Sequence, residues 1–363
     1  MYVKASNRGL EADTRPAVRV AVVWPSRFIV LLLTLAFFAG LRVPEWAQYL
    51  PFAASLVLFG LPHGAVDHLV PARLAGRAAD GRSVLTVVLL YLVLSGLCLA
   101  LWFAAPAAAF VLFVCVTVFH WGAGDLHALL FFGPNGLDGM GRASRALLLL
   151  LRGGLPMLVP LLFFPDAYRG VLNDAAGLFS AGGSALPGVF SPVFRISAGA
   201  ALAAVALLLL FRAAGDLVGQ RGSLLPVALE TLMLFAFFAV VPPVLAVGLY
   251  FSLWHATRHV ARLVMLDRAG ARYLRAGRPG YALARFARDA APLTALALVL
   301  LLGLYLAVPN AAEDTGPLLA LYLVLVSALT LPHASLVTYM DLRQGVWKRA
   351  RPVPGATVEH ATQ

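Results

Sequence analysis

Long apolar runs, broken at intervals by short clusters of glycine, proline and charge, set the pattern of this chain. Read against those breaks, they predict ten helical segments near 28–41, 47–62, 84–104, 106–120, 145–164, 193–212, 224–241, 243–266, 290–308 and 317–340. Most approach the roughly 20 residues that cross a bilayer. The first, second and fourth are short for a full span, which implies tilt, local thinning of the bilayer or partial re-entry. The expected fold is therefore all-α, a polytopic transmembrane helix bundle with eight to ten spans.

Composition agrees with the pattern. Of 363 residues, 61% are hydrophobic and 12% charged, and the mean hydropathy is +0.86; these values exclude an ordinary soluble domain. The polar stretches are too short for a second domain. The expected organisation is a polar N-terminal tail (1–27), one membrane-embedded catalytic domain (28–340) and a basic, polar C-terminal tail (341–363). Residues 1–27 lack the short apolar core and small-residue cleavage site of a secretory signal. Cys98 and Cys115 both fall in apolar runs and are expected to pack as small hydrophobic groups.

The net charge of +11 comes from arginine, since the only lysines are Lys4 and Lys348. Arg73, Arg77 and Arg82, then Arg212 and Arg221, then the run from Arg258 to Arg288 fall in alternate loops; the uncharged Pro242-Pro243 turn and the acidic Glu313-Asp314 loop occupy the others. That alternation predicts a multi-pass protein of the cell membrane with both termini cytoplasmic. Basic surplus of this kind fits loops beside anionic lipid, and no nucleic-acid motif is present. The missing mid-membrane lysine excludes a retinal Schiff base.

Histidine changes the picture. Seven of eight, namely His63, His68, His120, His127, His255, His259 and His333, lie in or at the ends of apolar segments; His360 lies in the tail. An imidazole within the membrane is costly without a partner, and several such costs on different helices point to one shared metal. In the predicted topology the histidine-bearing segments all run toward the cytoplasm, which puts their imidazoles in one layer of the cytoplasmic half.

Trp254-His255-Ala-Thr-Arg258-His259 places two imidazoles at i and i+4, on one helix face, so both can reach one ion. In Gly60-Leu-Pro62-His63-Gly64-Ala-Val-Asp67-His68, Pro62 and Gly64 bracket His63 and break the helix so that its ring can be aimed inward. Asp67 is placed either to accept the second ring N–H of a ligand histidine or to pair with His68 at the helix end. Phe119-His120-Trp121-Gly122 ends an apolar run, with Asp125 and His127 expected in the following loop. Leu331-Pro332-His333 repeats the proline–histidine pairing. The four-nitrogen set His63, His120, His255 and His259, with His333 nearby, suits Fe(II), Zn(II) or Cu(II). Glu230, a rare carboxylate within a span, either orients a ligand histidine or bonds a hydroxyl or arginine.

Taken together and in this order, these motifs resemble the Brp/Blh family of β-carotene 15,15′-dioxygenases over roughly 60–340. The resemblance implies an integral membrane enzyme holding non-haem Fe2+ on His63, His120, His255 and His259. Its implied reaction splits the central double bond of β-carotene with O2 to give two retinal molecules, with a retinal-accepting rhodopsin as a possible recipient. His333, Asp67 and Glu230 are candidates for an additional ligand or for support. A rigid apolar polyene calls for a lipid-accessible tunnel, for which Phe119, Trp121, Phe235, Phe237, Phe238, Phe251 and Trp254 are candidate linings. Alternatives are a desaturase or hydroxylase, for which the adjacent histidine pairs of a di-iron site are missing, and a non-enzymatic haem- or metal-binding membrane protein. The Gly-, Ser- and Pro-rich stretch 165–192 is expected to be a loop.

Overall fold

The computed structural model describes residues 14–179, 186–218, 223–307 and 315–348. Among these residues every regular element is helical, and eight helices are long and apolar enough to cross a membrane. They are α1 (Thr14–Phe38), the broken run α2 (Glu45–Leu74), α3 (Gly81–Ala104), α4 (Pro106–Phe132), α5 (Arg142–Phe163), α7 (Pro192–Asp216), α12 (Pro279–Ala307) and α13 (Thr315–Gln344). Between them lie α6 (Pro165–Gly177), α8 (Leu224–Val240), α9 (Pro243–Leu249), α10 (Thr257–Leu266) and α11 (Arg268–Arg275). A π-helical segment, Tyr250–Ala256, joins α9 to α10.

The helix ends follow local chemistry. Asp80 accepts the Ser83 backbone N–H at 2.7 Å and starts α3. That bond, then the Arg77 guanidinium, holds the exposed Asp80 carboxyl below its usual range. Ser191 and Asp267 cap α7 and α11 in the same way.

Several helices depart from expectation. The first apolar segment begins at Thr14, well ahead of the predicted start at residue 28. Two of its arginines find partners: Arg19 donates to the carbonyls of Phe132 and Gly133, capping α4, and Arg27 pairs with Glu230. The fourth segment does not stop at His120 but continues to Phe132, so Asp125 and His127 are helical and buried. The stretch 165–192 is not wholly loop, because α6 occupies its first half; residues 180–185 lie outside the described set. Of the expected basic loop from Arg258 to Arg288, Arg258 and Arg262 are buried in α10, whereas Arg268, Arg272 and Arg275 are exposed. Arg221, Glu313, Asp314, His360 and both chain ends fall outside the described residues.

Helices α4 and α5 approach each other closely. A Cβ on Gly153 would stand 1.8 Å from the Val118 carbonyl oxygen, and one on Gly122 2.1 Å from that of Leu149. Small residues facing each other let two backbones approach, as is common between membrane helices. This approach fixes the depth and rotation of His120, two residues from Gly122.

Candidate metal centre

Five imidazoles converge in the interior. His63 stands on α2, His120 on α4, His255 on the π segment, His259 on α10 and His333 on α13, and all are buried. Ring centroids of His120 lie 4.7 Å from those of His255 and of His333. His63 is 4.9 Å from His333 and 5.6 Å from both His255 and His259, and His259 is 5.0 Å from His333. His63, His120 and His255 offer one atom each within 4.8 Å of one another, and Asp67, His259 and His333 do likewise.

Local structure aims each ring. Gly60 lies so close to the π segment that a Cβ there would meet the Ser55 carbonyl oxygen at 2.6 Å and Phe251 at 2.9 Å. The following turn lets His63 donate its Nδ1–H to the Gly60 carbonyl, leaving Nε2 for the centre. The π segment, with one extra residue per turn, shifts the face that carries His255; such insertions are frequent at functional sites. His255 and His259 nevertheless keep a parallel stack, 6.5 Å apart with rings inclined by 6°. His333 donates Nδ1–H to Asp67 Oδ2 at 2.6 Å, and the same oxygen accepts the Tyr91 hydroxyl at 2.5 Å.

What remains unpaired is informative. His120 Nδ1, His259 Nε2 and His333 Nε2 are buried without a hydrogen-bond partner, and the Nε2 atoms of His120 and His255 face each other at 3.0 Å. An unsatisfied buried group costs about 1–3 kcal/mol, so three in one cluster would be a large penalty in an empty core. A cation taking neutral nitrogens offsets it, and all-imidazole donors fit a transition metal rather than Mg or Ca.

Other predicted residues are placed elsewhere. Glu230 does not reach a histidine; it accepts from Arg152 at 2.6 Å and pairs with Arg27. Asp67 does not pair with His68, whose Nδ1 bonds the Ala65 carbonyl at 3.1 Å. His127 is stacked on Phe131 at 4.3 Å, away from the five. Trp121 and Phe251 line a cavity of about 480 Å³ that reaches His63, His120 and His333. Phe119, 41% exposed, points outward from α4. Trp254 is fully buried behind the histidines, and Phe237 and Phe238 pack in the core.

Trp254 belongs to a charged network that the sequence reading missed. Its Nε1–H donates to Asp125 Oδ1 at 2.9 Å, and the other carboxylate oxygen accepts from Arg152 at 2.8 Å. The Arg258 guanidinium lies 3.7 Å over the Trp254 ring. The available signal was Arg152 itself, a charge directly after five leucines, where a membrane arginine requires a partner.

The β-carotene 15,15′-dioxygenase family profile matches residues 54–341, a stretch holding all five clustered histidines and Asp67. The chain belongs to the β-carotene 15,15′-dioxygenase family. A probable β-carotene 15,15′-dioxygenase Blh of Halobacterium salinarum is 45% identical over 334 residues, 92% of this chain and 94% of the relative. A probable β-carotene 15,15′-dioxygenase Brp of the same species is 34% identical over 251 residues, 67% of each chain. A β-carotene 15,15′-dioxygenase of an uncultured marine bacterium, 66A03, is 30% identical over 90 residues, 24% of this chain and 31% of the relative. No solved structure matches. Family membership makes the histidine cluster and the apolar cavity beside it the natural place to seek the reaction centre.

Proposed function

We propose that this chain is a membrane-embedded, non-haem iron dioxygenase that cleaves the central 15,15′ double bond of β-carotene, giving two retinal molecules. The observation that carries the reading is the meeting of five buried imidazoles, three with an unpartnered nitrogen, against an apolar cavity. His63, His120, His255 and His259 are the proposed ligands of Fe2+, with His333 beside them. Bound ferrous iron would supply redox activation of O2, chemistry that a redox-inert Zn2+ at the same nitrogens lacks. In the overall reaction one O2 is consumed as the double bond breaks, and each half leaves as an aldehyde.

The chain's own residues have three tasks. The Gly60 carbonyl and Asp67 hold His63 and His333 in the tautomer that presents Nε2. Trp121 and Phe251 give the polyene an apolar wall beside the histidines, which keeps water from the reacting carbons. The Asp125–Trp254 bond anchors the π segment immediately ahead of His255. The balanced reaction takes up and releases no net proton.

The second trio, Asp67, His259 and His333, has the donors of a separate metal site. Asp67 Oδ2 accepts from His333 and Tyr91, which makes Asp67 the support of His333, while its Oδ1 is buried without a hydrogen-bond partner. In the cell membrane, with both termini cytoplasmic, the centre lies toward the cytoplasmic half, and a retinal-accepting rhodopsin is a natural recipient of the product.

Expression in carotene-accumulating cells tests the reading, with metal analysis of the purified protein. The expected result is loss of orange colour, retinal formed, and one iron per chain. His120→Ala and His255→Ala are each expected to abolish cleavage and lower bound iron. Unchanged carotene with well-expressed, iron-loaded protein would refute the proposal.

A further inference from the structure

The cavity beside the histidines is bounded by α3 and α12. Val88, Leu92 and Gly96 of α3, and Leu296 and Leu300 of α12, all line it. The same residues are on the outer surface: Val88 is 38% exposed, Leu92 65%, Leu296 50% and Leu300 49%. Neighbours on these helices that do not line the cavity, Val93 at 58% and Val299 at 63%, are exposed as well. This side of both helices is therefore the bundle's outer, lipid-facing side, and residues shared between it and the cavity stand at an opening.

Packing explains why an opening is there. Helix α3 packs along α13 and α4, whereas α12 packs against α2 and α13; α3 and α12 make no extended contact with each other. Gly96 stands between them on the α3 side, exposed, and a Cβ built there would meet nothing within 4 Å. Just inside, Tyr91 adjoins Leu92 and donates to Asp67, the partner of His333. A Cβ on Gly64 would lie 3.5 Å from His333 Nδ1 and 3.9 Å from the Tyr91 hydroxyl. The opening thus leads directly to the histidines.

Its chemistry selects the occupant. The residues at the mouth are hydrocarbon, and the two hydroxyls beside them are already engaged, Ser95 with the Ala328 carbonyl at 2.9 Å and Tyr91 with Asp67 at 2.5 Å. A polar solute would find no partner there, whereas an apolar polyene dissolved in the bilayer loses nothing on entering. We infer that the carotenoid enters sideways from the lipid between α3 and α12, with Gly96 at the threshold. The inference rests on the proposed carotene cleavage and adds the route and the residue that controls it.

The test uses the full-length, iron-loaded protein in liposomes carrying β-carotene. Gly96→Trp is expected to lower kcat/KM by about tenfold or more, through KM with kcat held, and to reduce the carotene bound under anaerobic conditions. Iron content is expected to stay unchanged. Val93→Trp, on the lipid face outside the mouth, is expected to match the unaltered protein. Gly96→Cys in a Cys115→Ser background provides a second measure: a bulky reversible thiol reagent should block uptake, and a reductant should restore it. This variant decides the matter if the tryptophan variant fails to fold. Carotene binding and cleavage unaffected by either change would overturn the side entry. Wild-type protein that binds carotene and holds iron yet forms no retinal would defeat the cleavage reading instead.

Discussion

Asp67→Asn separates support of a ligand from support of the fold. Asp67 is 2% exposed, and its Oδ2 accepts from both His333 Nδ1 at 2.6 Å and Tyr91 at 2.5 Å. Asparagine has the same outline, and its amide oxygen can occupy the Oδ2 position. The two bonds then become neutral, and charge-assisted bonds are roughly twice as strong as neutral ones. Losing a partner that orients a histidine of a metal centre lowers metal affinity by about 10–100-fold, equivalent to about 1.4–2.7 kcal/mol, and this range is the effect expected if His333 contributes to the centre. Removing a buried carboxylate charge also relieves a desolvation penalty of several kcal/mol. The two effects therefore have opposite signs. Iron affinity, read anaerobically by chelator competition, is expected to fall by that factor. The thermal midpoint of the iron-free protein in detergent is expected to hold or rise. Tyr91→Phe keeps the carboxylate and is expected to weaken iron binding less. An iron affinity within about twofold of the unaltered protein for Asp67→Asn would remove the Asp67–His333 pair from the centre.

Trp254→Phe keeps most of the ring over Arg258 but leaves Asp125 Oδ1 without its donor, a loss of about 1.5–3 kcal/mol for a bond to a charged group; a lower thermal midpoint and reduced iron occupancy are expected, and an unchanged pair of values would show that this bond does not anchor the π segment. Gly153→Ala would put a methyl 1.8 Å from the Val118 carbonyl oxygen, forcing α4 and α5 apart at a cost of about 1–3 kcal/mol or more, and a lower thermal midpoint with loss of cleavage is expected. Gly303→Ala, which meets nothing within 4 Å in a lipid-facing helix, is the matched control and is expected to be neutral or to gain up to about 1 kcal/mol.

Where the sequence reading succeeded, the signal was local. The apolar runs locate the helices because crossing a bilayer is a matter of length and hydropathy along the chain. Spacing alone puts His255 and His259 on one face, whereas the break expected at Pro62 and Gly64 falls to either side: Gly60–Ala65 is helical and α2 is interrupted at 56–59 and at Val66. Where it fell short, distant partners decided the outcome. The predicted fourth segment stops at His120, where the apolar run gives way to Gly122, Gly124 and Asp125. In the fold those glycines admit α5 and the His255 ring, and Asp125 is satisfied by Arg152 and Trp254.

The amino-acid sequence by itself determined an all-helical membrane bundle with histidines carried on several of its spans, since hydropathy and helical period act over neighbouring residues. Only the tertiary structure decided that five imidazoles meet while His68 and His127 stay apart. It alone assigned Asp67 to His333 and turned Glu230 away from the histidines toward Arg152 and Arg27. The reason is physical: a buried charge or an imidazole is stable only with a partner of suitable geometry. These partners lie far off in sequence, 78 residues for Arg152 and Glu230 and 266 for His333 and Asp67.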